Sequence, residues 1–160
     1  MEQLIEKLGL KVHPEGGWFR ETYRSSEKQV PPDSMGIDGD RNLSTAIYFM
    51  LTKGNFSAFH RIKQDEIWHH YMGGTIVIHS ISPEGEYHEF SLGKDLEKGE
   101  KPQYVVPAGY WFASETLADY ALAGCTVAPG FDFADFEMAE RSQLLSLFPQ
   151  HEEVIQRLTR

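Results

Sequence analysis

The segment GNFSAFHRIKQDEIWHHYMGG, residues 54–74, concentrates side chains that can transfer protons or bind metals. It holds three of the chain's seven histidines, two adjacent acids and a tryptophan. Imidazole and carboxyl groups act as general acids and bases when their pKa values lie near neutrality, and both also bind transition metals. The segment therefore predicts an acid/base site or a metal site, with His60 and Glu66 as the candidate catalytic residues.

The run DEIWHHYM has the composition of a β-strand, and strand geometry decides which of its side chains share a face. Side chains alternate along a strand, so Glu66, Trp68 and His70 face one way and His69 faces the other. Glu66 and His70 would lie roughly 13 Å apart on a straight strand. Glu66 and His70 therefore cannot bind the same metal ion, because a metal's ligand atoms must lie about 2 Å from it.

Short β-type runs separated by turn residues fill the chain from about Trp18 to Val127. They include LSTAIYFML, TIVIHSI and YALAGCTVAP. Strands of this length and spacing favour an antiparallel sandwich or barrel. Apolar residues at helical spacing occur near the two ends, in EQLIEKLGL, MAERSQLLSLF and HEEVIQRL. We therefore predict a mainly β fold with short N- and C-terminal helices.

The spacing of residues 54–73 resembles the first sequence motif of the cupin superfamily. That motif has Gly, five residues, His, one residue, His, three residues, Glu, six residues and Gly. Here Gly54, His60, Glu66 and Gly73 stand at the corresponding positions, but Ile62 replaces the second histidine.

The second cupin motif has a Pro-x-Gly core followed by a histidine three positions later. The segment VPAGYWF supplies Pro107 and Gly109, with Phe112 at the histidine position. Cupin metals usually take three histidines and one glutamate, and this chain keeps only His60 and Glu66 of that set. We therefore expect no tightly bound metal and no other cofactor.

A wider resemblance covers nearly the whole chain. The segments HPEGGWFRETYRS, FHRIKQDEIWHHYMG, VPAGYWFAS and GCTVAPGFDFADFEMAER are similar to those of one uncharacterised domain-of-unknown-function family of RmlC-like cupins. The resemblance implies a double-stranded β-helix (jelly-roll) barrel, formed here by a single cupin domain over residues 1–160, and commonly a dimer. It implies no established reaction.

Three functions are compatible with these residues. The first is binding of a small polar metabolite in the barrel interior, with metal-independent isomerase or epimerase chemistry on a sugar or nucleotide-sugar derivative. The second is a small-molecule binding module without turnover. The third is a metal-dependent cupin enzyme with a reduced ligand set, against which Ile62 and Phe112 argue.

In the first function His60 and Glu66 would transfer protons, and a barrel interior would move their pKa values toward neutrality. Trp68, His70 and Phe112 would line the ligand pocket. The alternative is that His60 and Glu66 form only a hydrogen-bonded pair left from a metal-binding ancestor, and that Trp68 belongs to the core.

Charge and composition restrict the partners. Fifteen basic residues against 24 acidic ones give a net charge of −9 without a Lys/Arg cluster, so we expect neither a nucleic-acid nor a membrane partner. A single cysteine, Cys125, suits a cytoplasmic protein. Because sheet edges need covering, the aromatic segment GGWFRETY is a candidate for pairing with a second copy in a homodimer.

Four further residues, His13, Arg20, Arg24 and His79, have roles that depend on where the fold places them. His13 is expected to be solvated or at an interface. Arg20 and Arg24 share a strand face, where they could meet a phosphate or carboxylate at a pocket mouth or pair with surface acids; we favour pairing with acids. His79 lies in an apolar run, which favours a buried histidine with satisfied hydrogen bonds.

Overall fold

The computed structural model describes residues 2–160, which form thirteen β-strands, three α-helices and four short 3₁₀ turns. In chain order the helices and strands are α1 (Glu2–Leu8), β1 (Lys11–Val12), β2 (Trp18–Arg24), β3 (Lys28–Gln29), β4 (Arg41–Asn42), β5 (Thr45–Thr52), β6 (Phe56–Arg61), β7 (Glu66–Gly73), β8 (Ile76–Ile81), β9 (Tyr87–Leu92), β10 (Gln103–Val106), β11 (Trp111–Glu115), β12 (Tyr120–Val127), β13 (Glu137–Met138), α2 (Arg141–Leu147) and α3 (Glu152–Arg157). The 3₁₀ turns are Asp33–Met35, Leu96–Lys98, Phe133–Asp135 and Pro149–His151.

Two antiparallel sheets form the barrel. One has the strand order β1-β2-β5-β12-β7-β10, and the other has the order β13-β6-β11-β8-β9. Strand β12 is central in the first sheet, because it pairs with β5 on one side and with β7 on the other. Neighbouring strands in each sheet are often distant in the chain, as in a jelly roll.

The apolar side chains alternate as the sequence predicts, and they fill the space between the sheets. The main core cluster includes Phe49, Leu51, Trp68, Ile76 and Phe112. Since side chains that point inward from both sheets meet in this layer, their burial stabilises the closed barrel.

Helices cover the outer faces of both sheets. Helix α1 packs Leu4, Ile5 and Leu8 against a cluster that contains Met50 and Leu122 of the six-stranded sheet. Helices α2 and α3 cover the five-stranded sheet, in a cluster with Leu144, Ile155 and Phe59. These contacts account for the amphipathic patterns at the two ends of the chain.

The predicted fold class is confirmed: the protein is mainly β, with a double-sheet cupin barrel and short helices at both ends. No helix within residues 2–160 is long and apolar enough to cross a membrane.

Candidate functional site

A cavity of about 240 Å³ lies between the sheets, at the end of the barrel where β2, β6 and β12 finish and β5 and β7 begin. Two histidines and two glutamates are buried in its wall, His13, His60, Glu15 and Glu66. The wall also contains four phenylalanines, Phe19, Phe131, Phe133 and Phe136. Polar groups that converge inside a largely apolar wall are the usual arrangement of a small-molecule site.

Glu15 reaches the cavity because of the turn HPEGG. The backbone N–H of His13 donates to Gly17 O, and the N–H of Gly16 donates to His13 O, both at 3.0 Å. Gly16 has φ 109°, and a Cβ there would clash with the carbonyl oxygen of Phe56. Only glycine fits both requirements, so this turn can place Glu15 against strand β6.

The backbone of Glu15 is fixed on both sides of the turn. Its carbonyl oxygen accepts a 2.8 Å hydrogen bond from the backbone N–H of Ala58, in β6. The guanidinium group of Arg160 donates to the same carbonyl. The N-terminal turn, β6 and the C-terminal residue therefore hold the Glu15 side chain inside the barrel.

His60 and Glu15 form a buried ion pair. His60 Nε2 lies 3.0 Å from Glu15 Oε2, and His60 Nδ1 lies 2.8 Å from the carbonyl oxygen of Ala58. The hydroxyl of Ser57 donates to Glu15 Oε1 at 2.9 Å. Because both ring nitrogens of His60 face acceptors, the ring is best satisfied as an imidazolium that donates to the Glu15 carboxylate.

The pKa directions agree with this charge assignment. Burial by itself lowers the pKa of His60, but the charge and hydrogen bond of Glu15 outweigh burial and raise the pKa above 6.5. Burial likewise raises the pKa of Glu15, while the charge and hydrogen bond of His60 bring it below 4.5.

The pKa of Glu66 is shifted in the opposite direction from that of Glu15. Burial, together with the negative charge of Glu15, raises the pKa of its carboxyl from 4.5 to about 7. His60, Cys125 and Trp68 lower this pKa only in part. The N–H of Trp68 is close enough to Glu66 to lower its pKa, but within residues 2–160 it has no partner that meets the criteria for a hydrogen bond. At neutral pH Glu66 is thus divided between its acid and base forms.

His13 supplies a neutral donor. Burial lowers the pKa of its ring below 6.5, with Glu15 opposing and His60 adding to the shift. Nδ1 lies 3.3 Å from the backbone nitrogen of Glu15 and 3.5 Å from Glu15 Oε2. With Nδ1 as the acceptor of that backbone N–H, the ring proton is on Nε2. Nε2 has no hydrogen-bond partner within residues 2–160, and the ring packs edge-on against Phe19 at 4.5 Å.

The residues at this end of the barrel do not fit a cupin metal. Ile62 and Phe112 are buried and apolar, and Nε2 of His60 is bonded to Glu15. Within residues 2–160, His, Cys, Asp and Glu side chains form no group of three that could hold a metal ion. The ring of His60 therefore interacts with the carboxylate of Glu15, which balances its positive charge, and its Nε2 is not available to a metal.

Of the residues proposed from the sequence, His60 and Glu66 line the cavity. No hydrogen bond or ion pair joins these two, because His60 is paired with Glu15 instead. Strand β7 does alternate as predicted, with Glu66, Trp68 and His70 buried on one face and His69 half-buried on the other.

The other three predicted pocket residues, Trp68, His70 and Phe112, do not line this cavity. Core side chains fill the barrel past Glu66: Trp68 packs edge-on against Phe49 at 5.4 Å and is only 1% exposed. Phe112 lies beneath the ring of His60, with centroids 4.0 Å apart, and is buried. His70 is farther along β7, where Nε2 bonds the carbonyl oxygen of Gly74.

Sequence reasoning missed two residues of the site. The sequence patterns assign no role to Glu15 and predict that His13 is solvated or at an interface, whereas both are buried in the cavity wall. The signal was present in HPEGG: an acid before two glycines, within a segment resembling the cupin family. Cys125 is buried as expected, and it also lines the cavity.

Comparisons with known proteins agree with this fold and cover nearly the whole chain. A solved structure of protein SO0799 from Shewanella oneidensis superposes with a TM-score of 0.90 at 42% identity, over 99% of this chain and 96% of that one. A hypothetical protein from Leishmania major gives a TM-score of 0.91 at 35% identity, over 99% and 97% of the two chains.

Sequence comparison adds a relative and a family. An uncharacterized protein of Saccharomyces cerevisiae, YML079W, is 35% identical in an alignment of 147 residues that covers 84% of this chain and 73% of that protein. The family model described as Cupin superfamily (DUF985) matches residues 2–139. With its barrel fold and its match over most of its length, the chain belongs to the DUF985 family of the cupin superfamily.

Proposed function

We propose that the cavity binds a small polar metabolite and transfers a proton on it without a metal, as an isomerase or epimerase of sugar derivatives does. The observation that carries the proposal is the carboxyl of Glu66, buried in the cavity wall with a pKa of about 7. A general acid/base works best with a pKa near the operating pH, which surface carboxyl groups do not have.

The chemistry assigned to Glu66 is exchange of a carbon-bound proton. As a carboxylate, it accepts the proton of a C–H bond next to a ligand carbonyl, and the electron pair of that bond moves to form an enolate. The protonated Glu66 then returns a proton to the same carbon, and the product is the epimer when the ligand presents the opposite face of that carbon. In an isomerisation Glu66 protonates the former carbonyl carbon, while the proton of the adjacent hydroxyl moves to the former carbonyl oxygen. Between removal and return the Glu66 carboxyl exchanges its proton with solvent, so deuterium from D₂O reaches carbon.

His13 is suited to stabilise the enolate oxygen. Its Nε2–H is free of protein partners within residues 2–160, and the ring is neutral, so it donates a hydrogen bond without adding charge to the cavity. Placing such a donor where negative charge develops typically contributes about 10²–10³ in rate.

His60 has a different role in this proposal from the proton transfer predicted for it. Both of its ring nitrogens are occupied, by Ala58 and Glu15. Its positive charge offsets Glu15 and keeps the pKa of Glu66 from rising further. We therefore assign His60 as a positioning residue that sets the electrostatic potential around Glu66.

Hydrogen exchange in D₂O tests the proposal. Aldoses, ketoses and keto-sugars would be incubated with the protein, and deuterium at carbon measured by NMR. We expect incorporation with the natural chain and a loss of about 10²–10⁴ for Glu66→Gln. Glu86→Gln, on an exposed turn, makes the same chemical change away from the cavity and should leave exchange unchanged.

A binding module without turnover is the second candidate, and the saturated His60–Glu15 pair favours it. In that case sugars would shift the NMR signals of cavity residues, yet no deuterium would enter the sugars. Binding with no exchange above the Glu66→Gln background would refute catalysis and leave the binding function.

A further inference from the structure

The mouth of the cavity contains one permanently charged cation. Among the described residues that line the cavity, Arg24 is the only lysine or arginine, and it projects from the end of β2. A ligand that carries phosphate would need this guanidinium group, because His60 is already neutralised by the buried carboxylate of Glu15.

The guanidinium of Arg24 is almost fully occupied. Nε and NH2 donate to the two carboxylate oxygens of Glu21 at 2.9 and 2.8 Å. NH1 donates to Asn42 Oδ1 at 2.9 Å and to the carbonyl oxygen of Phe131 at 3.1 Å. Four of the five N–H groups that an arginine possesses are thus used within the protein.

The surrounding charges also oppose an anion. Hydrogen bonding to Glu21 and the nearby charges of Glu21 and Asp132 raise the pKa of Arg24, so two carboxylates face this one cation. Glu15 and Glu66 add two more carboxyl groups deeper in the same cavity. A phosphoryl group entering the mouth would therefore meet more negative than positive charge.

The apolar part of the wall suits an uncharged ring. Phe131, Phe133 and Phe136 contact one another edge-on at 5.0–6.2 Å, and the His13 ring lies 6.1 Å from Phe133 in a stacked arrangement. Such rings pack well against the apolar face of a sugar or base. The 240 Å³ volume is below the usual range for drug-sized ligands, about 300–1,000 Å³.

We infer that Glu21 is a specificity-determining residue: by holding Arg24 it keeps phosphorylated ligands out, and the site takes an uncharged, single-ring compound. This inference rests on the proposed function only for the location of the binding site. It excludes the nucleotide-sugar alternative, because a nucleotide-sugar carries a pyrophosphate group.

Inorganic pyrophosphate is the probe for this inference. Binding would be followed at low ionic strength by calorimetry and by the NMR signal of the Arg24 Nε–H. We expect no Arg24-dependent binding at millimolar pyrophosphate in the natural chain. Glu21→Gln removes a negative charge and frees at least one donor of Arg24, since only the single amide oxygen can still accept from it. We therefore expect the pyrophosphate affinity of this variant to rise at least about tenfold.

Two further variants control this gain. In Glu21→Gln/Arg24→Gln the gain should disappear. Glu137→Gln removes a carboxylate from another exposed arginine pair, that with Arg61 in β6, and should not create a pyrophosphate site. Binding of pyrophosphate by the natural chain through Arg24, or no gain in Glu21→Gln, would overturn the role of Glu21.

This result is separable from the test of catalysis. Sugars without phosphate and their phosphate esters would be compared for NMR shifts of cavity residues. Exclusion of the esters with no deuterium exchange would support the specificity and refute turnover. Exchange on phosphate esters in preference to the parent sugars would refute the specificity and support turnover.

Discussion

Two buried histidines of the five-stranded sheet, His60 and His79, each pair with a glutamate, yet their pKa values are shifted in opposite directions. His60 lies inside the barrel 3.0 Å from Glu15, and His79 lies 3.1 Å from Glu115. Their side chains are 3% and 2% exposed. Yet the pKa of His60 is raised and that of His79 is lowered.

The difference comes from what else the two glutamates contact. Glu15 is buried, and its other oxygen accepts from the neutral hydroxyl of Ser57, so its charge acts on His60. Glu115 is also bonded to Arg157, whose positive charge offsets it, and burial then dominates at His79. Similar distances therefore give a charged histidine in one place and a neutral one in the other.

The largest expected effect is the loss of stability in Glu15→Gln. Removing one partner of a buried ion pair leaves His60 either charged without a counter-ion or forced to give up its proton. We expect the free energy of unfolding to fall by about 3 kcal/mol or more, measured by urea denaturation.

The pH dependence of this loss follows from the two pKa shifts. The raised pKa of His60 stabilises the fold fully below pH 6.5, and this contribution is lost as pH rises through the folded-state value. The lowered pKa of Glu15 stabilises above pH 4.5 and is lost on acidification. The difference from Glu15→Gln should be largest between pH 4.5 and 6.5.

Glu115→Gln is the matched change at the second histidine. The side chain of Arg157, which pairs with Glu115, is 47% exposed, so we expect the free energy of unfolding to fall by only about 1 kcal/mol. Equal losses in the two variants would contradict the distinction drawn between the two pairs.

The second prediction concerns Glu66→Gln, which mimics the neutral carboxyl. Because the folded-state pKa of Glu66 is raised, its contribution to stability is fully present below pH 4.5 and is lost as pH rises through about 7. Above pH 7 the variant should unfold with a free energy about 3 kcal/mol higher than the natural chain. Below pH 4.5 the two should agree, and a constant difference at every pH would contradict the raised pKa.

Much of the barrel was accessible from sequence because its signals are local. Alternation in DEIWHHYM placed Glu66, Trp68 and His70 on one face, as the structure has them. The cupin-like spacing identified His60 and Glu66, both of which line the cavity.

The charge arrangement was not accessible, because it depends on contacts between distant segments. Glu15 meets Ser57 across 42 positions in the chain, a contact that no local periodicity records. The burial of Trp68 depends on the width of the barrel, which side chains from several strands determine together. Sequence patterns gave the faces of the strands but not how deep the cavity reaches between them.

The third prediction is a homodimer, whose formation should affect the cavity residue His13 but not His79. Strand β2 pairs with β5, but β1 covers only Trp18 and Phe19 on its other side. The remaining edge, residues 20–24, is open among the described residues, and Tyr23 is 55% exposed beside it. Open edges favour pairing with another strand, and we propose a second copy of this chain as the partner.

Light scattering at micromolar concentration should give twice the 18.3 kDa chain mass. Tyr23→Lys, which adds a charge at this edge, should weaken association about tenfold. Since β2 also carries cavity residues, dilution should shift the NMR signals of His13 but not those of His79. A monomer at every concentration would refute the proposal.

The smallest effect is expected for Arg157→Gln, and it tests the comparison most directly. Four ionisable groups face His79: Glu115, Glu89, Tyr87 and Arg157. Removing Arg157 leaves the charge of Glu115 unopposed, so the pKa of His79 should rise, as followed by NMR of its ring protons. Stability should change by less than about 1 kcal/mol, because the Arg157 side chain is half-exposed.

Arg61→Gln removes a similarly exposed arginine from β6, in the sheet that contains His79, and should leave the pKa of His79 unchanged. The pKa of His60 should be unaffected by either substitution, since its partner Glu15 contacts neither arginine. If the pKa of His79 did not rise in Arg157→Gln, burial rather than Arg157 would account for its lowered value. The opposite behaviour of His60 would then have to come from the depth of Glu15 in the barrel rather than from its unshared charge.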